Sequence, residues 1–190
     1  MSVQSPRQVL VTGVTSGIGR ALAVQLVAHG RAVWGVARRR DELERLQQEL
    51  GANFHYSAAD LTRPETPGQL MQALSRAQFA PDAVVLNAGI FPHDTGDTFD
   101  FSVAAAVLAT NLTGALALVA AFLPQFLQRR FGQFVAVSSL FALRPDRLGV
   151  GYAASKAGLS MAFRSLEVRY RERSVRFKLM VFGPIATAGY

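Results

Sequence analysis

The chain has 190 residues and no cysteine. That excludes disulfides, cysteine-ligated zinc and thiol catalysis. Its three histidines, His29, His55 and His93, form no metal-ligand pattern, and no metal is expected. Lysine is nearly absent as well. Only Lys156 and Lys178 share with arginine a formal net charge of +7. A basic surface attracts nucleic acid, acidic carrier proteins or phosphorylated ligands. No aromatic-interleaved basic run is present, so nucleic acid is not an expected partner. No apolar stretch follows a basic start at the N-terminus. The longest apolar run, Val103 to Leu123, is interrupted by Thr110, Asn111, Thr113 and Gly114, so no membrane span is expected. The chain reads as soluble and cytoplasmic. With 50% hydrophobic residues it has enough apolar material for a single domain over 1–190.

What is present is an alternation of short β-rich runs with helical patterns, which predicts an α/β fold with helices on both faces of a parallel sheet. Strands are expected at Gln8 to Thr12, Ala32 to Val36, Asn53 to Ala58, Ala83 to Leu86, Phe134 to Val137 and Arg176 to Phe182. Helices are expected at Gly17 to His29, Asp41 to Leu50, Glu65 to Gln78, Val103 to Arg129 and Tyr152 to Arg173.

Three constellations carry chemistry. Thr12-Gly13-Val14-Thr15-Ser16-Gly17-Ile18-Gly19 lies between the first strand and first helix, where backbone N–H groups and the helix dipole can hold phosphate. Gly13 allows the tight turn, Gly17 the approach of a pyrophosphate and Gly19 close packing. Tyr152 and Lys156 stand four residues apart, on one face if that segment is helical. An ammonium beside a phenol favours the phenolate and makes the tyrosine a usable acid or base near neutral pH. Ser139 lies thirteen residues upstream of Tyr152. Together these suggest hydride transfer to or from a carbonyl, with Tyr152 handling the proton.

In this order and spacing, Thr12 to Gly19, Asn87-Ala88-Gly89, Asn111, Ser139 and Tyr152 with Lys156 resemble the short-chain dehydrogenase/reductase family, from Val9 to about Thr187. The resemblance implies a Rossmann-like doubly wound sheet of order 3-2-1-4-5-6. It implies a catalytic tetrad of Asn111, Ser139, Tyr152 and Lys156, in which Asn111 holds a water, Ser139 bonds the substrate oxygen and Lys156 bonds the nicotinamide ribose. Gly13, Thr15, Ser16, Gly17, Ile18 and Gly19 would hold the dinucleotide. Asp60 and Leu61 would meet the adenine, and Asn87, Ala88 and Gly89 the adenosine ribose. Gly183-Pro184 followed by Thr187 resembles the family's Pro-Gly-x-x-x-Thr segment with the dipeptide reversed, so Pro184, Ile185 and Thr187 would contact the nicotinamide.

One absence sharpens the cofactor. An NAD site wants a carboxylate at the end of the second strand, but Ala37 stands there, followed by Arg38, Arg39 and Arg40. Arg38 suits a 2′-phosphate, with Arg39 or Arg40 pointing to solvent, so NADP(H) is expected over NAD(H). The substrate is expected to be a small carbonyl or alcohol. Arg130 and Arg173 also stand where related reductases dock an acyl carrier protein, which makes a 3-oxoacyl-carrier-protein reductase one alternative and a non-catalytic nucleotide binder another. The two longest helices imply a homodimer or homotetramer. Relatives continue for several dozen residues past the equivalent of Thr187, so the chain is expected to be a fragment, or to have its last strand, Phe177 to Phe182, covered by a partner.

Overall fold

The computed structural model describes residues 7–92, 98–145 and 149–183. Six strands, β1 (Gln8–Thr12), β2 (Ala32–Ala37), β3 (Phe54–Ala58), β4 (Ala83–Leu86), β5 (Gly132–Ser139) and β6 (Val175–Phe182), form one sheet. Its order is β3-β2-β1-β4-β5-β6, and every pairing is parallel. The doubly wound order expected from the sequence is therefore the order found.

Alternate residues of one strand serve two cores. Leu10, Val84, Leu86, Phe134 and Ala136 pack on one face with Leu118, Phe122 and Phe126 of helix α5 (Gly114–Arg129) and with Leu159 and Phe163 of α6 (Val150–Tyr170). Val9, Val11, Val33, Val85 and Val137 pack on the other face with Ala23 of α1 (Gly17–Ala28) and with Leu43 and Leu46 of α2 (Arg40–Leu50). Strands covered on both sides need apolar residues at both parities, which is why Val9-Leu10-Val11 of β1 and all of β4 are unbroken apolar runs. Helix α3 (Thr66–Arg76) adds Leu70 and Leu74 to the first core.

Several expected boundaries shift for identifiable reasons. Helix α4 (Phe101–Leu108) starts two residues before Val103, because the Asp100 carboxylate caps it, accepting from Ser102 N at 2.8 Å and Val103 N at 3.4 Å. β5 runs on to Ser139, since Ser138 and Ser139 pair with Val181 and Phe182 of β6. α6 stops at Tyr170, where a 3₁₀ turn, Arg171–Arg173, and a left-handed Ser174 (φ 62°) turn the chain into β6.

The long helix expected over Val103 to Arg129 forms without a break at Thr110 and Asn111. Ala109–Thr113 forms a π-helical turn, so Phe101–Arg129 is one helix of 29 residues with a window hydropathy of 2.0. By length and composition it could cross a membrane. Its buried residues, Leu118, Val119, Phe122 and Phe126, instead lie in the sheet's core. The apolar edge expected over Phe177 to Phe182 is only partly open. Phe177 is buried against Phe134 and Phe163, whereas Met180 and Val181 are 47% and 44% exposed.

Candidate active site

The carboxyl ends of the strands open onto a cleft of about 830 Å³. The order reverses between β1 and β4, and that switch point is where open α/β sheets take ligands.

Over β1 the wall is a tight turn. Gly13 adopts φ +73°, and a Cβ there would stand 2.8 Å from Ala88 Cα. In the first turn of α1, a Cβ on Gly19 would stand 2.2 Å from the Gly13 carbonyl oxygen and 2.4 Å from Asn87 Nδ2. No side chain fits either space. Asn87 closes the seam between β1 and β4: its Nδ2 donates to Thr12 O at 3.0 Å and Gly13 O at 3.2 Å. Thr12 Oγ1 accepts from Asn87 N and Ala88 N, both at 3.0 Å. Ser16, the residue before α1, makes no side-chain cap. The N–H groups of the helix's first turn therefore face the cleft with the positive end of its dipole.

Beyond β2, Arg38 and Arg39 both line the cleft. Arg39, though exposed, is tied to the glycine turn: its guanidinium donates to Thr15 Oγ1 at 3.0 Å and to Thr15 O at 3.3 Å. Arg40 opens α2 and is not part of the wall. Asp60 accepts from Thr62 N at 3.0 Å and Thr62 Oγ1 at 2.8 Å. These bonds, and then the positive charges of Arg38 and Arg63, hold its carboxyl below the usual carboxylate range.

Over β5 and α6 the wall changes character. Tyr152 reaches the same cleft as Gly17, half-buried, on the first turn of α6. One turn on, the Lys156 ammonium lies 5.6 Å from the centre of the Tyr152 ring and donates to Val137 O at 2.7 Å. Lys156 is only 4% exposed, and burial pulls its pKa from 10.5 down to about 8. The two neighbouring serines differ. Ser138 Oγ is held inside by Ser160 Oγ at 2.7 Å and Lys156 O at 3.5 Å. Ser139 Oγ sits at the strand's end on the cleft and accepts from Phe141 N at 3.3 Å.

Asn111 lies behind this wall, 1% exposed, in the π-helical turn. Its Oδ1 accepts from Ile90 N at 2.8 Å, and its Nδ2 donates to Ile90 O at 3.0 Å and Ser155 Oγ at 3.2 Å. Ser155 Oγ donates in turn to Tyr152 O at 2.7 Å. Asn111 thus clamps the segment after Asn87-Ala88-Gly89 to the turn that carries Tyr152. Both of its amide hydrogens are spent on protein partners.

The family model described as short chain dehydrogenase matches residues 7–189. The chain belongs to the short-chain dehydrogenase family. An uncharacterized oxidoreductase of Myxococcus xanthus is 35% identical over 93% of this chain and 71% of its own length. The NADPH-dependent pterin aldehyde reductase of Arabidopsis thaliana is 32% identical over 85% of this chain and 69% of its own length. A closed serine dehydrogenase solved with NADP+ superposes with a TM-score of 0.90 at 25% identity, covering 95% of this chain and 73% of the other.

Of the residues singled out in the sequence, this dehydrogenase brings Gly13, Thr15, Ser16, Gly17, Ile18, Arg38, Asp60, Leu61, Asn87, Ala88, Gly89, Ser139 and Tyr152 onto one cleft. Gly19, Asn111 and Lys156 support it from beneath. Pro184, Ile185, Thr187 and His93 lie outside the described residues. His29 bonds Gln25 O on the surface, and His55 stacks on Trp34, away from the cleft. Ile90, Phe91, Leu140, Phe141 and Arg144 complete the wall near Tyr152 and were not singled out. The available signal was proximity: Phe91 and Phe141 each stand two residues beyond a residue that was named, Gly89 and Ser139.

Proposed function

We propose that this dehydrogenase is NADP(H)-dependent, interconverting a carbonyl and an alcohol, with Tyr152 as general acid and base. The observation that carries the reading is Tyr152 on the glycine turn's own cleft, beside the ammonium of a buried Lys156. That ammonium favours the phenolate over the phenol and brings the tyrosine's proton into use near neutral pH. Ser139 Oγ stands at the end of β5 to bond the substrate oxygen, and Asn111 fixes the turn under Tyr152.

The residues present fit the dinucleotide. The space at Gly13 and Gly19 admits backbone but no Cβ, and the uncapped first turn of α1 offers its N–H groups to a pyrophosphate. Bound there, the nicotinamide supplies or accepts the hydride. Arg38 and Arg39 offer charge-assisted bonds to a 2′-phosphate where Ala37 provides no carboxylate for a ribose. The pterin aldehyde reductase that uses NADPH and the serine dehydrogenase that holds NADP+ support the same choice.

A free small molecule fits this geometry better than a carrier-bound one. Arg130 ends the approach to β5, and Arg173 ends the turn before β6. Both therefore sit at the amino ends of strands whose carboxyl ends form the cleft, so a carrier docked on them could deliver only to another copy. A dimer or tetramer belongs to the same reading; its support is the exposed apolar surface of Phe101 on α4 and of Met161 and Val168 on α6. Cytoplasmic work does too, supported by the core packing of Phe101–Arg129. Steady NADPH oxidation with a panel of aldehydes and ketones tests the proposal. Dissociation constants for NADPH and NADH test the cofactor: NADPH should bind about tenfold more tightly. Tight nucleotide binding with no turnover of any carbonyl would leave only a binder.

A further inference from the structure

We infer that the substrate is a carbonyl compound with a flat aromatic body and an anionic group. The inference rests on the reading of Tyr152 as proton donor. The reacting oxygen must come within hydrogen-bond reach of the Tyr152 hydroxyl. The rest of the substrate then lies against whatever surrounds that ring. Phe91 covers Tyr152 at 4.3 Å between ring centres with a 32° tilt. Phe141 meets Tyr152 edge-on at 6.2 Å and lies 6.0 Å from Phe91 with a 44° tilt. Three rings in mutual contact, with Ile90 and Leu140 beside them, make an apolar wall on which a planar ring packs by offset or edge-to-face contact.

The charge on this wall has one sign. Among the described residues lining the cleft the only carboxylate is Asp60, at the β3 end. Arg144 lines the cleft with the three rings, is exposed, and has no hydrogen bond or ion pair among the described residues. A carboxylate on the far side of the substrate's ring would complete it. The guanidinium is exposed, so the gain is modest and screened by salt.

Three ketones test the assignment: 4-acetylbenzoate, acetophenone and cyclohexyl methyl ketone. Each is titrated by calorimetry into NADP+-loaded protein, a pair that cannot turn over, and each is assayed for NADPH oxidation. The expected order of affinity is 4-acetylbenzoate, then acetophenone, then the cyclohexyl ketone, with steps of about threefold or more. Phe91→Leu narrows the second step to below twofold, and Arg144→Gln, a surface change, narrows the first in the same way. Raising the salt also narrows the first step. An equal or reversed order, no binding of any ketone, or an Arg144→Gln protein that keeps the first step overturns the assignment. The expected order without NADPH oxidation upholds the wall and overturns the reading of Tyr152. Oxidation with no preference among the three does the opposite.

Discussion

The two sides of the cleft hold cations of opposite kinds. Over β1 to β3, Arg38 and Arg39 line the cleft and are exposed. Over β5 and α6, Lys156 is buried beside the Tyr152 ring, and its pKa has moved to about 8. An exposed guanidinium acts through a solvent that salt can screen. A buried ammonium acts on one neighbour in a medium that screens little. The first arrangement suits a fixed, doubly charged ligand group. The second suits control of a proton.

The largest effect should come from removing the group that the buried cation serves. Tyr152→Phe deletes one hydroxyl from the ring wall and should cut turnover by about 10²–10⁴-fold. NADPH affinity, measured by fluorescence titration, should stay within about threefold, because the glycine turn and Arg38 are untouched. Comparable losses in both quantities would mean that the two sides are not separable.

Lys156 comes next. In the fold it gives up its proton near pH 8, in the unfolded chain near 10.5. The burial cost weighs fully below pH 8 and is relieved as the pH rises towards 10.5. The nucleotide-free protein should therefore gain stability relative to Lys156→Met, on the order of 2 kcal/mol between pH 8 and pH 10. Denaturant unfolding of both proteins across that window checks the sign. Parallel curves would show that Lys156 is not desolvated.

Arg38→Ala should weaken NADPH by about tenfold at low salt, leave NADH nearly unchanged, and lose part of that difference at high salt. An NADPH preference that ignores both salt and Arg38 would make the exposed side resemble the buried one. The smallest effect should come from Asp60→Asn. Its carboxyl sits below the ordinary range mainly through the bonds from Thr62, which an amide oxygen can also accept. The stability it adds is present at neutral pH and fades as the carboxyl protonates in acid. Loss of less than about 1 kcal/mol at pH 7 is expected from thermal unfolding.

The same contrast explains what could be read in advance. The glycine turn, Asn87-Ala88-Gly89 and the Tyr152–Lys156 pair are local patterns in which the residue types and their spacing already specify the geometry. The alternation of strands and helices gave the parallel α/β class, and the family resemblance gave the strand order. The rest depended on partners distant in sequence. β5 gained Ser138 and Ser139 because β6 supplied Val181 and Phe182 as pairing partners. The π-helical turn inside the expected long helix sets Asn111 against Ile90 and Ser155, 21 and 44 residues away. Arg39 or Arg40 was expected in solvent; Arg40 is exposed outside the wall, and Arg39 reaches a carbonyl 24 residues away. Phe91, Phe141 and Arg144 belong to no motif and meet only once β4, β5 and α6 are assembled.

The proposed function requires one cleft to hold the cofactor on its charged side and to deliver the proton from Tyr152 on its aromatic side. Reduction of a ketone with NADPH deuterated at the transferring position joins the two halves in one experiment. Deuterium is expected on the carbinol carbon of the product made by the unmutated protein. Tyr152→Phe, shown to hold the same cofactor, should make almost none of it. An unlabelled product, or a Tyr152→Phe protein that labels it at the unmutated rate, would separate Tyr152 from the hydride transfer and overturn the proposal.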